Sequence, residues 1–158
     1  MKELLVAMLL ATTPLQANSA PTVKVYFSKG FGIPGATVAV TRAAPDRGLA
    51  RFAIEQLIKG PTAAEKRRGL HSELGAQIRG RSDCGADFRL KIASGKATLR
   101  FCRTVYGTGV GGDARILNTI GKTLRQFSTV TKVITLDKGG RCLFDQSDSG
   151  TSCLTGHE

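Results

Sequence analysis

The sequence predicts an α/β fold: a compact two-layer sandwich in which two main helices cover one face of a mixed or mostly antiparallel sheet. Three observations lead there. TVKVYFSK, residues 22–29, alternates apolar and polar side chains with a period of two, and so do the arms on either side of Ser94-Gly95. Residues 46–59 and 113–127 instead repeat apolar side chains at every third or fourth position. TVTKVITLD, residues 129–137, is a β-branched run that directly follows the second of these stretches. At 158 residues, 41% hydrophobic and 22% charged, the chain is long and apolar enough for one domain with a real core.

The first twenty residues, MKELLVAMLLATTPLQANSA, stand apart from that domain. Lys2 precedes an apolar run from Leu4 to Leu10, and small residues follow at Ala17, Ser19 and Ala20, with cleavage after Ser19 or Ala20. This is the outline of an export signal. The run is too short for a transmembrane helix, which takes about 20 apolar residues. The expected organisation is a signal peptide at 1–20, the domain at 21–141 and a C-terminal extension at 142–158, and the expected location is the periplasm, cell wall or extracellular space.

Within the domain, Val23, Val25 and Phe27 mark the buried face of a first strand, GFGIPG (30–35) interrupts it, and ATVAVTR (36–42) forms a second. The glycines do not make a phosphate loop, because neither G-x-G-x-x-G nor G-K-[ST] occurs and a strand follows where a helix is required. Asp46 is placed to cap a helix carrying Leu49, Phe52, Ala53 and Leu57, which ends at Lys59-Gly60 before Pro61. Thr62 and Glu65 have capping-box spacing and start a second, shorter helix.

Gln77–Arg81 reads as a strand, and residues 86–103 as a hairpin turning at Ser94-Gly95. Centring that turn pairs Phe88 with Phe101, Leu90 with Leu99, Arg89 with Arg100 and Lys91 with Thr98. GTGVGG (107–112) reads as a joint, after which Asp113 opens a helix bearing Ile116, Leu117, Ile120, Leu124 and Phe127; Gly121 weakens that helix without ending it. Thr129–Asp137 is a core strand, and DKGGRCLFD turns toward a last short one.

The four cysteines, Cys84, Cys102, Cys142 and Cys153, lack the close C-x-x-C spacing of a metal site. An even number in an exported chain favours disulfides, and four cysteines allow three pairings. Chain order and spacing favour Cys84 with Cys102 and Cys142 with Cys153. Cys102 falls opposite Asp87 in the hairpin register, so the first bridge requires the chain before Asp87 to bend back.

The net charge of +11 favours anionic partners, and for an exported chain the envelope polymers come first. The candidate binding surface is basic: Lys66, Arg67 and Arg68 after the capping box, and on the hairpin Arg89 and Lys91 with Arg100 and Arg103 on the returning strand, where Arg89 opposite Arg100 makes one face positive. Phe88 and Phe101 fall on the opposite face, which speaks for core use over base stacking. No catalytic residue, metal site or cofactor is expected. His71 and Glu73, in a helix, would point in different directions; His157 lies near the terminus; Ser28, Ser72, Ser82 and Ser128 sit in no nucleophile elbow. DQSDSG (145–150) lacks the calcium-loop frame and its closing glutamate.

Taken together, VKVYFSK at Val23–Lys29, ARFAIEQLIKGPTAAEKRRGLHSEL at Ala50–Leu74, ATLRF at Ala97–Phe101 and ILNTIGKTLRQFSTVTKVITLDKG at Ile116–Gly139 resemble the GerMN domain of sporulation and spore germination proteins. The resemblance covers almost all of the mature chain and implies a compact α/β domain akin to ring-building modules, acting outside the cytoplasm through protein interaction and without catalytic residues. The four cysteines, the basic balance and the single module depart from the pattern. The expected function is a non-enzymatic interaction or structural domain of the bacterial envelope, bound to an envelope protein or anionic wall polymer, with self-association a further expectation. The alternatives are a hydrolase of peptidoglycan or another wall polymer, and a nucleic-acid-binding protein.

Overall fold

Alternation dictates the first strand, β1 (Thr22–Lys29): Val23, Val25 and Phe27 are buried while Thr22, Lys24 and Lys29 face water. The structure, a computed structural model, describes residues 19–155, so the expected signal apart from Ser19 and Ala20, and His157, lie outside the described residues. β1 pairs along its whole length with antiparallel β2 (Ala36–Ala43).

Helix α1 (Leu49–Lys59) begins three residues after Asp46, which is a correction. Gly48 takes the N-cap position in the left-handed region (φ 69°) and no side chain caps the helix; a left-handed entry favours the residue without a Cβ over an aspartate cap. Ala53, Ile54 and Leu57 are fully buried, and Gly60 ends the helix as expected. Thr62 caps α2 (Ala63–Arg67) with a complete capping box. The chain then forms a two-residue strand, β3 (Leu70–His71), paired antiparallel with the end of β1, and one turn of helix, α3 (Leu74–Gln77). These two short elements carry too little periodicity to be read from sequence.

The expected strand at 77–81 shrinks to β4 (Ile78–Arg79), paired with β7 (Thr104–Val105). The hairpin β5 (Phe88–Ala93) and β6 (Lys96–Phe101) has the expected register, from Phe88 opposite Phe101 to Ala93 opposite Lys96. β8 (Lys132–Leu136) then joins β6 in parallel, Lys132 opposite Lys96 and Leu136 opposite Arg100. The expected last strand is only a single bridge between Leu136 and Cys142, and a short helix, α5 (Ser152–Thr155), follows. Strand pairing is thus mixed and falls into three small sheets, β2-β1-β3, β4-β7 and β5-β6-β8.

Helix α4 (Val110–Arg125) starts within the glycine-rich joint, not at Asp113. Asp113 sits in the first turn, where its Oδ1 accepts the Thr108 N–H at 2.7 Å. Ile116, Ile120 and Leu124 form its buried stripe. Both α1 and α4 pack on β1 and on each other, the two covering helices the periodicity predicts. Phe27, Phe88 and Phe101 anchor the shared core, each worth about 1.5–3 kcal/mol over an exposed ring.

α4 also completes β1. β3 covers only Ser28 and Lys29, which leaves the same edge open further back. There Gln126 accepts the Lys24 N–H at 2.7 Å and donates to the Lys24 carbonyl at 2.6 Å, while Thr123 Oγ1 accepts the Tyr26 N–H at 3.2 Å.

Candidate functional site

The seven sequence-predicted cations divide into three groups. Lys66, Arg67 and Arg68 are exposed at the end of α2, which packs against β3. Arg89 and Lys91 are exposed on β5, and alternation puts them on one face with Arg100, Lys96 and, across the parallel pair, Lys132. Lys96 and Lys132 were missed by sequence reasoning; the hairpin register could have found the first, whereas the parallel neighbour has no local signal.

Arg100 and Arg103 are already engaged. Arg100 binds Asp83 at 2.6 Å and the Lys138 carbonyl at 2.5 Å, and Arg103 binds Asp87 at 3.0 Å and the Gly80 carbonyl at 2.7 Å. The Arg100 guanidinium holds the Asp83 carboxyl below its ordinary value. These pairs exist because the chain before Asp87 does bend back: Asp83 N–H donates to the Cys102 carbonyl at 2.9 Å, and Cys84 and Cys102 form a disulfide with Cα atoms 5.7 Å apart. Cys142 and Cys153 form the second, with Cα atoms 5.8 Å apart. Arg89, Lys91, Lys96 and Lys132 make no ion pair among the described residues.

The capping box carries a charge pair. Thr62 N–H donates to Glu65 Oε2 at 2.8 Å and Glu65 N–H donates to Thr62 Oγ1 at 3.3 Å, while Arg42 on β2 grips both carboxylate oxygens at 2.7 Å. The guanidinium first, then the Thr62 amide, lowers the Glu65 carboxyl to about 2. Glu65 is buried, so this bidentate contact ties α2 to β2 as architecture.

His71 and Glu73 come together, against expectation, because the segment is strand followed by turn instead of helix: His71 Nδ1 lies 3.5 Å from Glu73 Oε1. The same carboxylate oxygen takes the Nε–H of buried Arg115 at 2.6 Å, and His71 Nε2 donates to the Gly30 carbonyl at 2.9 Å. Arg115 Nη1 also reaches the Phe31 and Gly32 carbonyls, both at 3.2 Å, and Phe31 stacks on His71 with ring centroids 4.7 Å apart. The imidazole and the Arg115 guanidinium, the latter held by the Glu73 carboxylate, therefore clamp the Gly30–Gly35 loop, which gives the three side chains an architectural role.

Among the described residues no nucleophile joins them. Ser28 Oγ is buried with no hydrogen-bond partner, and Ser82 Oγ serves a turn by donating to the Ala86 carbonyl at 2.5 Å. Asp83, Cys84 and Cys102 bring ligand atoms within 4.8 Å of one another, but both sulfurs belong to the disulfide and offer no thiolate. Asp145 spends its oxygens inside its own loop, on the N–H of Ser147 at 2.8 Å and on the N–H and hydroxyl of Ser152 at 3.0 and 2.7 Å. The Ser147 amide and then Ser152 hold its carboxyl well below the ordinary range. Among the described residues no helix is long and apolar enough to cross a membrane.

The family model Germane, described as sporulation and spore germination, matches residues 24–137. The tandem GerMN domains of the sporulation protein GerM from Bacillus subtilis are similar in structure, with a TM-score of 0.55 and 20% identity, over 85% of this chain and 48% of that one. The chain therefore spans about half the length of that tandem structure. The first GerMN domain of the same protein is similar at a TM-score of 0.51 and 20% identity, over 76% of this chain and 84% of that one. No curated protein matches the chain. The structural likenesses bear on the fold, and the family model, extending from β1 through β8, carries the assignment: the chain belongs to the Germane family of sporulation and spore germination.

Proposed function

We propose that the chain is a non-enzymatic interaction or structural domain that acts outside the cytoplasm, in the bacterial cell envelope, and binds an acidic protein or anionic wall polymer. One observation carries the binding surface: Arg89, Lys91, Lys96 and Lys132 share the outer face of β5-β6-β8 and make no ion pair among the described residues. A row of unpaired cations on a fixed sheet presents its charges at strand spacing, which suits a polyanion with repeated charges. The exposed Lys66, Arg67 and Arg68 form a second, separate cationic group. Export is supported by the N-terminal pattern and by two disulfides, which persist in oxidising compartments.

The test is retention on immobilised polyglutamate together with pull-down from envelope extract at moderate salt. Arg89→Glu with Lys91→Glu abolishes retention while leaving the melting temperature unchanged, and Lys66→Glu with Arg67→Glu, which changes net charge equally, has a clearly smaller effect. Equal losses from the two pairs would reduce the site to bulk charge, and failure to recover any partner or polymer would reject the reading.

A further inference from the structure

β8 lies at the edge of its sheet, with β6 on one side only. The two-residue turn makes Ala93 and Lys96 a hydrogen-bonded pair, so the backbones of Ala97 and Leu99 turn toward β8. In the parallel register, those of Val133 and Thr135 then turn outward. On that side the Thr135 carbonyl accepts the Leu143 N–H at 2.9 Å, and there the pairing stops. The Thr135 N–H and both backbone groups of Val133 have no main-chain partner among the described residues.

Both residues line a groove of about 600 Å³. Leu117, Gly121 and Arg125, one turn apart on α4, form one wall, and Leu143 and Phe144, in the segment bounded by the Cys142–Cys153 disulfide, form the other. Gly121 leaves the space: a Cβ there would lie 2.8 Å from Arg125 Nη1. The electrostatics are one-sided. Asp145 is occupied by Ser147 and Ser152, whereas exposed Arg125 makes no hydrogen bond or ion pair among the described residues.

An open strand edge, apolar walls and one unpaired guanidinium are complementary to a single kind of ligand. We infer that the groove takes an extended peptide segment of a partner protein, which adds as a strand beside Val133, where the pairing with Leu143 has ended, and places an acidic side chain on Arg125. This surface is separate from the outward row of cations on the sheet face and goes beyond the binding proposed for it.

The probe is a short fluorescein-labelled peptide alternating valine and threonine around one central glutamate, titrated against the full disulfide-bonded chain, with amide exchange read by NMR. Saturable binding is expected, with added protection at the Val133 amide. Arg125→Gln, or lysine in place of the peptide's glutamate, weakens binding about tenfold, the cost of a lost charge-assisted contact. Gly121→Ala displaces the guanidinium while favouring the helix, and weakens binding without loss of fold. Methylating the peptide's alternate backbone nitrogens removes binding. Absence of binding, indifference to that methylation, or protection elsewhere overturns the inference. So does a wild-type dimer that Arg125→Gln dissociates, since the occupant would then be a second copy of the chain.

Discussion

The side-chain amide of Gln126 pairs with both backbone groups of Lys24, as a neighbouring strand would: it accepts the N–H at 2.7 Å and donates to the carbonyl at 2.6 Å. The residue at the C-cap of α4 thereby closes a strand edge that β3 is too short to cover. Open edges invite pairing with other chains, so the contact protects as well as stabilises.

Gln126→Ala removes both hydrogen bonds and lowers stability by about 1 kcal/mol, because water replaces the amide at an exposed edge. Gln126→Glu keeps the acceptor, loses the donor and falls between. Urea unfolding ranks the three chains, and reversed order for the two variants would contradict the edge-closing role.

Glu65 sets a pH dependence. Its folded pKa, about 2, lies below the ordinary 4.5, so its stabilising contribution is complete above 4.5 and is lost as pH falls through about 2. Glu65→Gln leaves Arg42 facing no charge and costs about 3 kcal/mol at neutral pH. The gap between wild type and variant, followed by urea unfolding, closes across that acid window. A gap independent of pH would mean that the carboxylate charge contributes nothing.

Gly75 in α3 touches the end of α1 so closely that a Cβ would overlap the Ile58 carbonyl oxygen. The obstacle is backbone, which cannot rotate away. Gly75→Ala is therefore expected to cost about 2–3 kcal/mol despite alanine's better helix propensity. Thermal unfolding decides, and an unchanged or raised Tm would show that α3 moves freely.

The disulfides close loops with sequence separations of 18 and 11. Loops of this size give about 3 kcal/mol per bridge by restricting the unfolded chain. Cys84→Ser with Cys102→Ser also loosens the turn that brings Asp83 to Arg100, so Arg100 gains freedom and binding to polyglutamate rises even as stability falls. Stability and retention measured on one preparation separate the two effects.

Local chemistry made several features legible. Ser94-Gly95 sets a two-residue turn, and the turn sets every cross-strand pair of the hairpin. Thr62 and Glu65 are three apart, and that spacing alone places the capping box. Long-range packing hid the rest. Gly111 and Gly112 are poor helix formers, yet a Cβ on either would crowd Arg115 or Thr108, so close packing retains glycine where propensity alone reads a joint. His71 meets Glu73 only because β1 captures residues 70–71 as a strand. The engagement of Arg100 depends on a loop folded back by Cys84, and Lys132 joins the basic face through a parallel pairing that no turn encodes.

The edge of β1 has a temporal consequence. Lys24 and Gln126 are separated by 102 positions, so this strand is finished by a residue made long after it. Until that residue has left the ribosome, the β1–β2 ribbon lacks its lateral closure and α4 is not there to cover it. Such distant closure slows folding relative to a fold built from local contacts. A chain interrupted before Gln126 would carry the sticky edge that Gln126 conceals.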